Sequence, residues 1–271
     1  MGELGLIGAD LPEKFGAAGL DSVTAGLIIE ELSRGDINVG YVPLLGSLMG
    51  SIIAAHAKPE VADVIIPKIC SGEAVVALGL TEPHAGSDAA HLRTRARKDG
   101  SDFILSGEKT SISLAEQADH ILVLARTSEA DCGAGGVSAL LTPFDVPGIS
   151  RSSFDDVGSK AVGRGSIFFD DVRVPSSNLI GAEGGGFRQV MQGFDYSRAL
   201  IGLQCIAPAS ASLEDTWKYV TERSSLPVDT IVRHVEMNRC VVFAPPELEA
   251  EATWVVTLEP RDGATRVVSR N

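Results

Sequence analysis

The first part of the chain carries the hydrophobic spacing of amphipathic helices. Asp21 and Ser22 are suited to cap a segment in which apolar residues recur every three or four positions and which ends near Gly35. The apolar positions of this segment are Val23, Leu27, Ile28 and Leu32. A further helix is predicted from Pro59, a residue suited to the first helical turn, to Gly72.

An uncharged run from Ile37 to Ala57 separates these two helices and is long enough to cross a membrane. Several polar or helix-perturbing residues interrupt it, and its flanks are not basic, which is unlike a membrane span. These interruptions are Asn38, Pro43, Gly46, Ser47, Gly50 and Ser51. We therefore interpret the run as a buried helix and expect no membrane span.

From Ala74 the helical period gives way to short β-rich runs that are separated by turns. The runs are AVVALGLTE, TRARKDGSDFILSGEKTSIS, HILVLART, GVSALLTP and SIFFDDVRVP. Asp99-Gly100 is a dipeptide that favours a tight hairpin turn. This part of the chain is predicted to form a compact β-domain.

A long helix is predicted after the turn-rich sequence NLIGAEGGG at Asn178–Gly186, from Phe187 to about Arg223. A helix of this length needs tertiary packing, so it should begin a helical bundle. From Leu226 the chain has short Val-rich runs interrupted by Pro245-Pro246, which favour strands over the helices that would complete a bundle. The predicted fold class is α+β, with N-terminal helices, a central β-domain and the start of a C-terminal helical bundle.

Composition narrows the classes of function. The 271 residues carry 23 Lys plus Arg against 36 Asp plus Glu, a net charge of -13. Proteins that bind the phosphate backbone of nucleic acids neutralise it with basic patches, so nucleic acid is not expected as a partner. The four cysteines form neither a CxxC pair nor a dense disulfide framework, and the N-terminus does not read as an export signal. A cytoplasmic location is therefore expected. The five histidines lack the spacing of a metal site, and no metal is expected.

Two features carry candidate chemistry. The segment GLTEPHAGSD, residues 79–88, leaves a strand and offers backbone N–H groups with the hydroxyls of Thr81 and Ser87. Judged by its residue types alone, the segment fits two alternatives: a tight Pro-containing turn, or a loop that binds a planar, acceptor-rich ligand. Asp195 and Arg198 lie three positions apart on the predicted long helix, and this spacing alone indicates an ordinary ion pair.

Four segments, taken in order, resemble the flavin-dependent acyl-CoA dehydrogenases. They are GLTEPHAGSD, GEKTSIS at Gly107–Ser113, FFDDVRVP followed by NLIGAEGGGF, and GFDYSRALIG at Gly193–Gly202. The resemblance extends to about residue 225, and its details are most similar to cyclohexanecarboxyl-CoA dehydrogenases. It implies a helical domain at 1–75, a β-domain at 76–182, the first bundle helix at 183–225 and an unassigned tail at 226–271.

The resemblance also implies a function. Members of this family remove two hydrogens from the α and β carbons of an acyl-CoA thioester, pass a hydride to FAD and serve fatty acid metabolism. The implied partners are the acyl-CoA substrate and an electron-transfer acceptor protein. A homo-oligomer, either a dimer or a tetramer, is implied if the bundle is complete.

The cofactor site is implied by the same motifs. Leu78, Leu80 and Thr81 would place backbone and hydroxyl groups against the pyrimidine edge of the flavin. Ser87 would lie near the FAD pyrophosphate and the substrate thioester. Arg223 matches an arginine that reaches FAD across a subunit contact, although the residues after it depart from the family pattern.

A second implied part of the site is the segment Ser111, Ile112 and Ser113, which matches a Trp-Ile-Thr segment beside the flavin. Ser111 departs from that pattern and leaves room for a bulkier or cyclic acyl group, or for another residue that shields the ring. Ser113 keeps the hydroxyl. Asp195 and Arg198 would contact the adenosine and phosphate end of CoA.

The base that removes the α proton has no match in this sequence, so the catalytic residue is unknown. No motif after Leu226 fits the usual carboxylate, and the alternative helix position is Ser197, which cannot serve as that base. The resemblance therefore implies that the C-terminal part is absent or replaced. Two other functions stay open: a catalytically silent fragment or pseudoenzyme, and a non-enzymatic interaction module that pairs through the apolar face of residues 187–220.

Overall fold

The computed structural model describes residues 1–128 and 133–222, together with four strands between residues 231 and 270. It divides into two compact units, Met1–Ser212 and Leu213–Asn271, which are treated separately here. The domain boundaries at 75, 182 and 225 stay predictions.

Three helices open the first unit: α1 (Ser22–Gly35), α2 (Ile37–His56) and α3 (Pro59–Ser71). All three were expected from the sequence. The Asp21 side chain caps α1 by accepting hydrogen bonds from the backbone N–H groups of Val23 and Thr24.

The uncharged run forms α2, as predicted. By length and composition α2 is apolar enough to cross a membrane, and 61% of its most apolar window is buried inside the chain. A buried core helix has the same composition, so this is weak evidence for a span.

Eight strands form one sheet in the first unit. Their bounds are β1 (Val76–Gly79), β2 (Arg95–Asp99), β3 (Asp102–Ile112), β4 (His120–Arg126), β5 (Val137–Pro143), β6 (Ile149–Ser153), β7 (Gly165–Pro175) and β8 (Leu179–Ile180). Seven of them follow the order β6-β7-β3-β2-β4-β5-β8, and β1 pairs in parallel with β4. The predicted turn at Asp99-Gly100 joins β2 to β3, and Gly100 has a φ of +64°, which favours glycine.

At strand β4 both faces of the sheet are buried. On β4, Leu122 and Leu124 pack into a core shared with the N-terminal helices, while Ile121 and Val123 pack into a second core on the opposite face. This explains why β4 is apolar at nearly every position.

The long helix α4 (Gly186–Glu222) follows the sheet and begins one residue before its predicted start. The second unit carries a four-stranded antiparallel sheet of β9 (Ile231–Glu236), β10 (Cys240–Ala244), β11 (Trp254–Arg261) and β12 (Ala264–Arg270). The Val-rich runs of the tail therefore form strands, as their composition predicts. Pro245-Pro246 lie outside the described residues.

Close packing of α1 on α2 depends on Gly40. The buried Ser33 hydroxyl donates to the Ile29 carbonyl oxygen at 2.6 Å, and a Cβ at Gly40 would clash with that hydroxyl. We predict that Gly40→Ala lowers the free energy of unfolding by about 1–3 kcal/mol, because either the Ser33 hydroxyl must leave the Ile29 carbonyl oxygen or the two helices must separate. Urea denaturation measures the change.

Gly35→Ala is the matched control, because a Cβ there meets nothing within 4 Å. The double variant Ser33→Ala/Gly40→Ala removes the obstructing hydroxyl and should recover part of the loss. Equal stability of Gly40→Ala and Gly35→Ala would contradict the packing argument.

Candidate functional site

A buried ion pair joins the segment after β1 to strand β3. The side chains of Lys109 and Glu82 are 0% and 2% exposed, and Lys109 Nζ lies 2.7 Å from Glu82 Oε1. Lys109 Nζ also donates to the Leu80 carbonyl oxygen at 3.2 Å. Glu82 in turn accepts hydrogen bonds from the backbone N–H groups of Arg93 at 2.6 Å and Thr94 at 2.9 Å. One carboxylate thus closes the loop between β1 and β2 and fixes it to β3.

Different causes dominate the pKa shifts of Lys109 and Glu82. Burial lowers the pKa of Lys109 to about 8, although the Glu82 carboxylate partly offsets the effect. Burial alone would raise the pKa of Glu82, but the charge and hydrogen bond of Lys109, with the donors at residues 93 and 94, hold it below its ordinary value. Glu82 is therefore a fixed anion and not a proton acceptor at neutral pH.

The same two segments meet again one residue further on. The backbone N–H of Thr110 donates to the Thr81 carbonyl oxygen at 2.9 Å. Beyond this contact the pairing of β3 with β7 shifts register between Lys109 and Ile112, and Ser111 has a φ of +56°. A bulge of this kind re-aims side chains, and here it leaves Ile112 buried and Ser111 exposed.

A cavity of about 400 Å³ lies where these segments face α2 and α4. The wall built from the sheet side consists of Leu78, Leu80, Thr81, Ser111, Ile112 and Ser113. The helices supply Tyr41, Leu44, Leu45 and Leu48 from α2 and Phe194, Ser197, Arg198 and Ile201 from α4. The lining is mostly apolar, with hydroxyls on the sheet wall and one guanidinium on α4.

Three polar contacts define the helix side of the cavity. The Tyr41 hydroxyl donates to Ser113 Oγ at 3.0 Å, which connects α2 to the end of β3. Ser197 is buried, and its hydroxyl donates to the Phe194 carbonyl oxygen at 3.3 Å. Arg198 donates to the carboxylate of Asp195 at 2.8 Å, and both side chains are exposed.

A larger cavity of about 780 Å³ adjoins the first and shares part of its lining. Its other walls include Asn38, Gln204, Cys205 and an ion pair. In that pair Arg164 donates twice to Asp156, at 2.8 Å each, and these hydrogen bonds lower the pKa of Asp156.

Seven of the predicted binding residues line the 400 Å³ cavity: Leu78, Leu80, Thr81, Ser111, Ile112, Ser113 and Arg198. Ser87 is exposed and Asp195 points to its neighbour Arg198, and neither lines this cavity. Arg223 lies outside the described residues. The functional roles of all these residues stay predictions.

Sequence reasoning missed the contribution of α2 and the role of the Lys109–Glu82 pair. The run that forms α2 is apolar on all sides, so its spacing does not reveal which face lines a cavity. Lys109 stands in the polar stretch Ser106–Ser111 of β3, so the residue pattern does not indicate that its side chain is buried. Within the described part of the chain, no group of three or more His, Cys, Asp or Glu side chains is arranged to hold a metal ion.

Comparison with models of protein families identifies the family to which the chain belongs. Residues 1–73 match the acyl-CoA dehydrogenase N-terminal domain, and residues 77–172 match the acyl-CoA dehydrogenase middle domain. The chain therefore belongs to the acyl-CoA dehydrogenase family, and its α+β fold is that of the family.

Matches to individual proteins point to the same family. The chain is 34% identical to a probable acyl-CoA dehydrogenase of Bacillus subtilis, in a match that covers 82% of this chain and 59% of the relative. It is 35% identical to a glutaryl-CoA dehydrogenase of Desulfococcus multivorans, over 82% of this chain and 58% of the relative. The chain thus spans less than two thirds of the length of the relatives it matches.

Solved structures give the same result. A glutaryl-CoA dehydrogenase in complex with glutaryl-CoA superposes with a TM-score of 0.80 at 33% identity, covering 83% of this chain and 58% of the other. A glutaryl-CoA dehydrogenase of Mycobacterium smegmatis in complex with FADH2 superposes with a TM-score of 0.76 at 32% identity, covering 83% and 57%. Flavin and acyl-CoA ligands thus occur among proteins of this fold.

The ion pair generates a stability prediction. Lys109→Met leaves the Glu82 carboxylate buried without its cation, and we expect the free energy of unfolding to fall by about 3 kcal/mol in urea denaturation. The double variant Lys109→Met/Glu82→Gln removes both charges but keeps only one side-chain oxygen for the backbone N–H groups of Arg93 and Thr94, so it should recover part of the lost free energy of unfolding. If the double variant is as unstable as the single one, the unpaired charge of Glu82 is not the cause of the lost free energy of unfolding.

Proposed function

We propose that the 400 Å³ cavity binds the ring of FAD and the reacting end of an acyl-CoA thioester. The observation that carries this proposal is the convergence of two separate sequence motifs, residues 79–88 and 107–113, on one cavity wall opposite α4. The functions of the family supply the class of ligand.

The chemistry of the wall suits a planar ligand rich in acceptors. Within the described residues, the hydroxyls of Thr81 and Ser111 make no hydrogen bond to protein, so both are available to a ligand. Leu78, Leu80 and Ile112 offer apolar surface beside them. When bound, FAD supplies an acceptor for the hydride that leaves the β carbon of the thioester. The protein's part is to orient the ligands and to exclude water from them.

Arg198 is the positively charged side chain in the described lining of the cavity. Its guanidinium is exposed and donates one hydrogen bond to Asp195, so further donors can bind a phosphate or carbonyl oxygen. We propose that Arg198 and Asp195 contact the CoA part of the substrate. An exposed pair of this kind contributes little to stability, so its loss should affect binding more than folding.

Removal of the α proton is the step that the described cavity residues do not support. The described lining of the 400 Å³ cavity contains no carboxylate, and Ser197 occupies the buried helix position that faces it. Asp156 in the adjoining cavity is held by Arg164 with a lowered pKa, which makes it a weak base. We therefore propose that this 271-residue chain binds its ligands without oxidising the thioester.

Flavin binding is tested by removing two hydroxyls from the wall. Thr81→Ala/Ser111→Ala removes the two wall hydroxyls that make no hydrogen bond within the described protein, each worth about 0.5–1.5 kcal/mol to a ligand, so the Kd for FAD should rise between about fivefold and a hundredfold. Equilibrium titration by flavin fluorescence measures the Kd. Ser101→Ala, on the exposed turn between β2 and β3, is the matched control and should leave the Kd unchanged. An unchanged Kd in the double variant would contradict the assignment of this wall.

The proposal that the cavity lacks a catalytic base is tested by introducing a carboxylate at its wall. With FAD bound, the wild type should not lose its oxidised flavin absorbance when octanoyl-CoA is added anaerobically. Ser197→Glu puts a carboxylate at the cavity wall, and a positioned base contributes about 10²–10⁴-fold, so this variant should bleach the flavin at least about a hundredfold faster than Ser197→Gln. Rapid bleaching by the wild type would contradict the proposal, because it would require a base that the described cavity does not contain.

A further inference from the structure

The large sheet curves around its second core, and a further cavity lies at the rim of that core. Strands β5 and β7 are four steps apart in the sheet order, which corresponds to about 19 Å across a flat sheet. Residues of both strands nevertheless line one cavity of about 430 Å³. The sheet is therefore curved here, and the mouths of curved, barrel-like sheets are common places for ligand sites.

The wall that β5 supplies carries a buried hydroxyl group without a partner. Thr142 is 1% exposed, and its Oγ1 makes no hydrogen bond within the described residues. Side chains alternate along a strand, so Thr142 lies on the same face as Leu140, which packs into the second core. Val174 of that core lines the same cavity as Thr142. A buried polar atom without a partner is costly, so a bound group is expected beside this hydroxyl.

Much of the remaining lining is apolar and lacks donors for a ligand. The apolar residues are Pro143, Val146, Pro147, Val174 and Pro175. Asn178 also lines the cavity, but its amide nitrogen is already used, because it donates to the Leu141 carbonyl oxygen at 2.9 Å. A ligand that fits this cavity therefore has an apolar body and brings its own hydrogen-bond donors.

The charged groups at this cavity favour a cation. Arg173 donates to Asp99 and, at 3.1 Å, to Asp102, so two carboxylates already neutralise its guanidinium. Asp171 accepts a hydrogen bond from the Ser106 hydroxyl at 2.7 Å and forms no ion pair within the described part of the chain. Arg173, Asp102 and Asp171 line the cavity, and together with Asp99 they place three negative charges against one positive charge.

We infer that the 430 Å³ cavity binds a primary ammonium ion that is carried on a small apolar body. Thr142 Oγ1 accepts one N–H of the ammonium group, and the Asp171 carboxylate supplies the opposite charge. The apolar body packs against the valines and prolines of the wall. None of the residues that line this cavity lines the 400 Å³ cavity, so the ammonium ion binds whether or not the chain binds flavin.

The first test compares three ligands of similar shape, titrated calorimetrically into the full 271-residue chain at neutral pH and low salt. The probe is 2-phenylethylammonium. Its controls are 2-phenylethanol, which lacks the charge, and 3-phenylpropanoate, which reverses it. The ammonium ion should bind at least about threefold more tightly than the alcohol, and the carboxylate should bind most weakly. A carboxylate that binds as tightly as the ammonium ion, or no binding of the ammonium ion, overturns the inference.

The second test uses variants of the two contacting residues. Thr142→Val keeps the shape of the side chain without its hydroxyl, so the Kd for 2-phenylethylammonium should rise about two- to tenfold. Asp171→Asn removes the exposed charge, and asparagine tolerates the φ of +48° at this position, so the Kd should rise about two- to fivefold. Asp170→Asn is the matched control, because this exposed neighbour does not line the cavity, and its Kd should equal that of the wild type.

An ordered water is the other group that could satisfy the Thr142 hydroxyl. Crystals soaked in 2-phenylethylammonium distinguish the two, because the ammonium nitrogen should lie within hydrogen-bond distance of Thr142 Oγ1. Urea denaturation checks that Thr142→Val is folded, and its midpoint should be no lower than that of the wild type, since valine removes a buried hydroxyl without a partner. A water alone at Thr142, or equal Kd values in the wild type and a folded Thr142→Val, overturns the inference.

Discussion

The buried pair of Lys109 and Glu82 is the constraint on which the candidate site depends. Two segments that lie far apart in the sequence must meet at atomic distance to form one wall, and this pair joins them at 2.7 Å. Burying two charges is costly, and such pairs rarely add net stability over apolar residues of the same shape. Its value here is geometric, because the lysine also holds the Leu80 carbonyl and the carboxylate also closes the loop at residues 93 and 94.

The rest of the cavity follows from how the helices cover the sheet. Leu122 and Leu124 on β4 bind the N-terminal helices to one face, so α2 crosses close to the wall that the ion pair fixes. The Tyr41–Ser113 hydrogen bond then connects α2 to the residue that follows β3. The N-terminal helices are therefore part of the site and not only its cover, and a change at their packing, such as at Gly40, is expected to reach the cavity.

Much of this could be predicted from the sequence. Some features depend only on neighbouring residues and can therefore be predicted from a single sequence. They are the cap at Asp21, the turn at Asp99-Gly100 and the start of the long helix near Phe187. The motif residues around Thr81 and Ser113 were found through a family resemblance. Tyr41 could not be found, because it lies in an uncharged run without a distinct polar face, and tertiary packing decides which side of that helix lines the cavity. Ser87 shows the converse limit, since it belongs to a motif but lies outside the cavity lining.

The central claim is that the ion pair orders the cavity wall. Native-state amide hydrogen exchange tests it most directly, with peptides that cover residues 80–94 and 107–113 followed in the wild type and in the charge-free variant Lys109→Met/Glu82→Gln. The account predicts strong protection of the Thr94 and Thr110 amides in the wild type, and exchange at least about tenfold faster in the variant even where global stability is matched. Equal protection of both segments in the two proteins would contradict the account, because the wall would then be ordered without the pair.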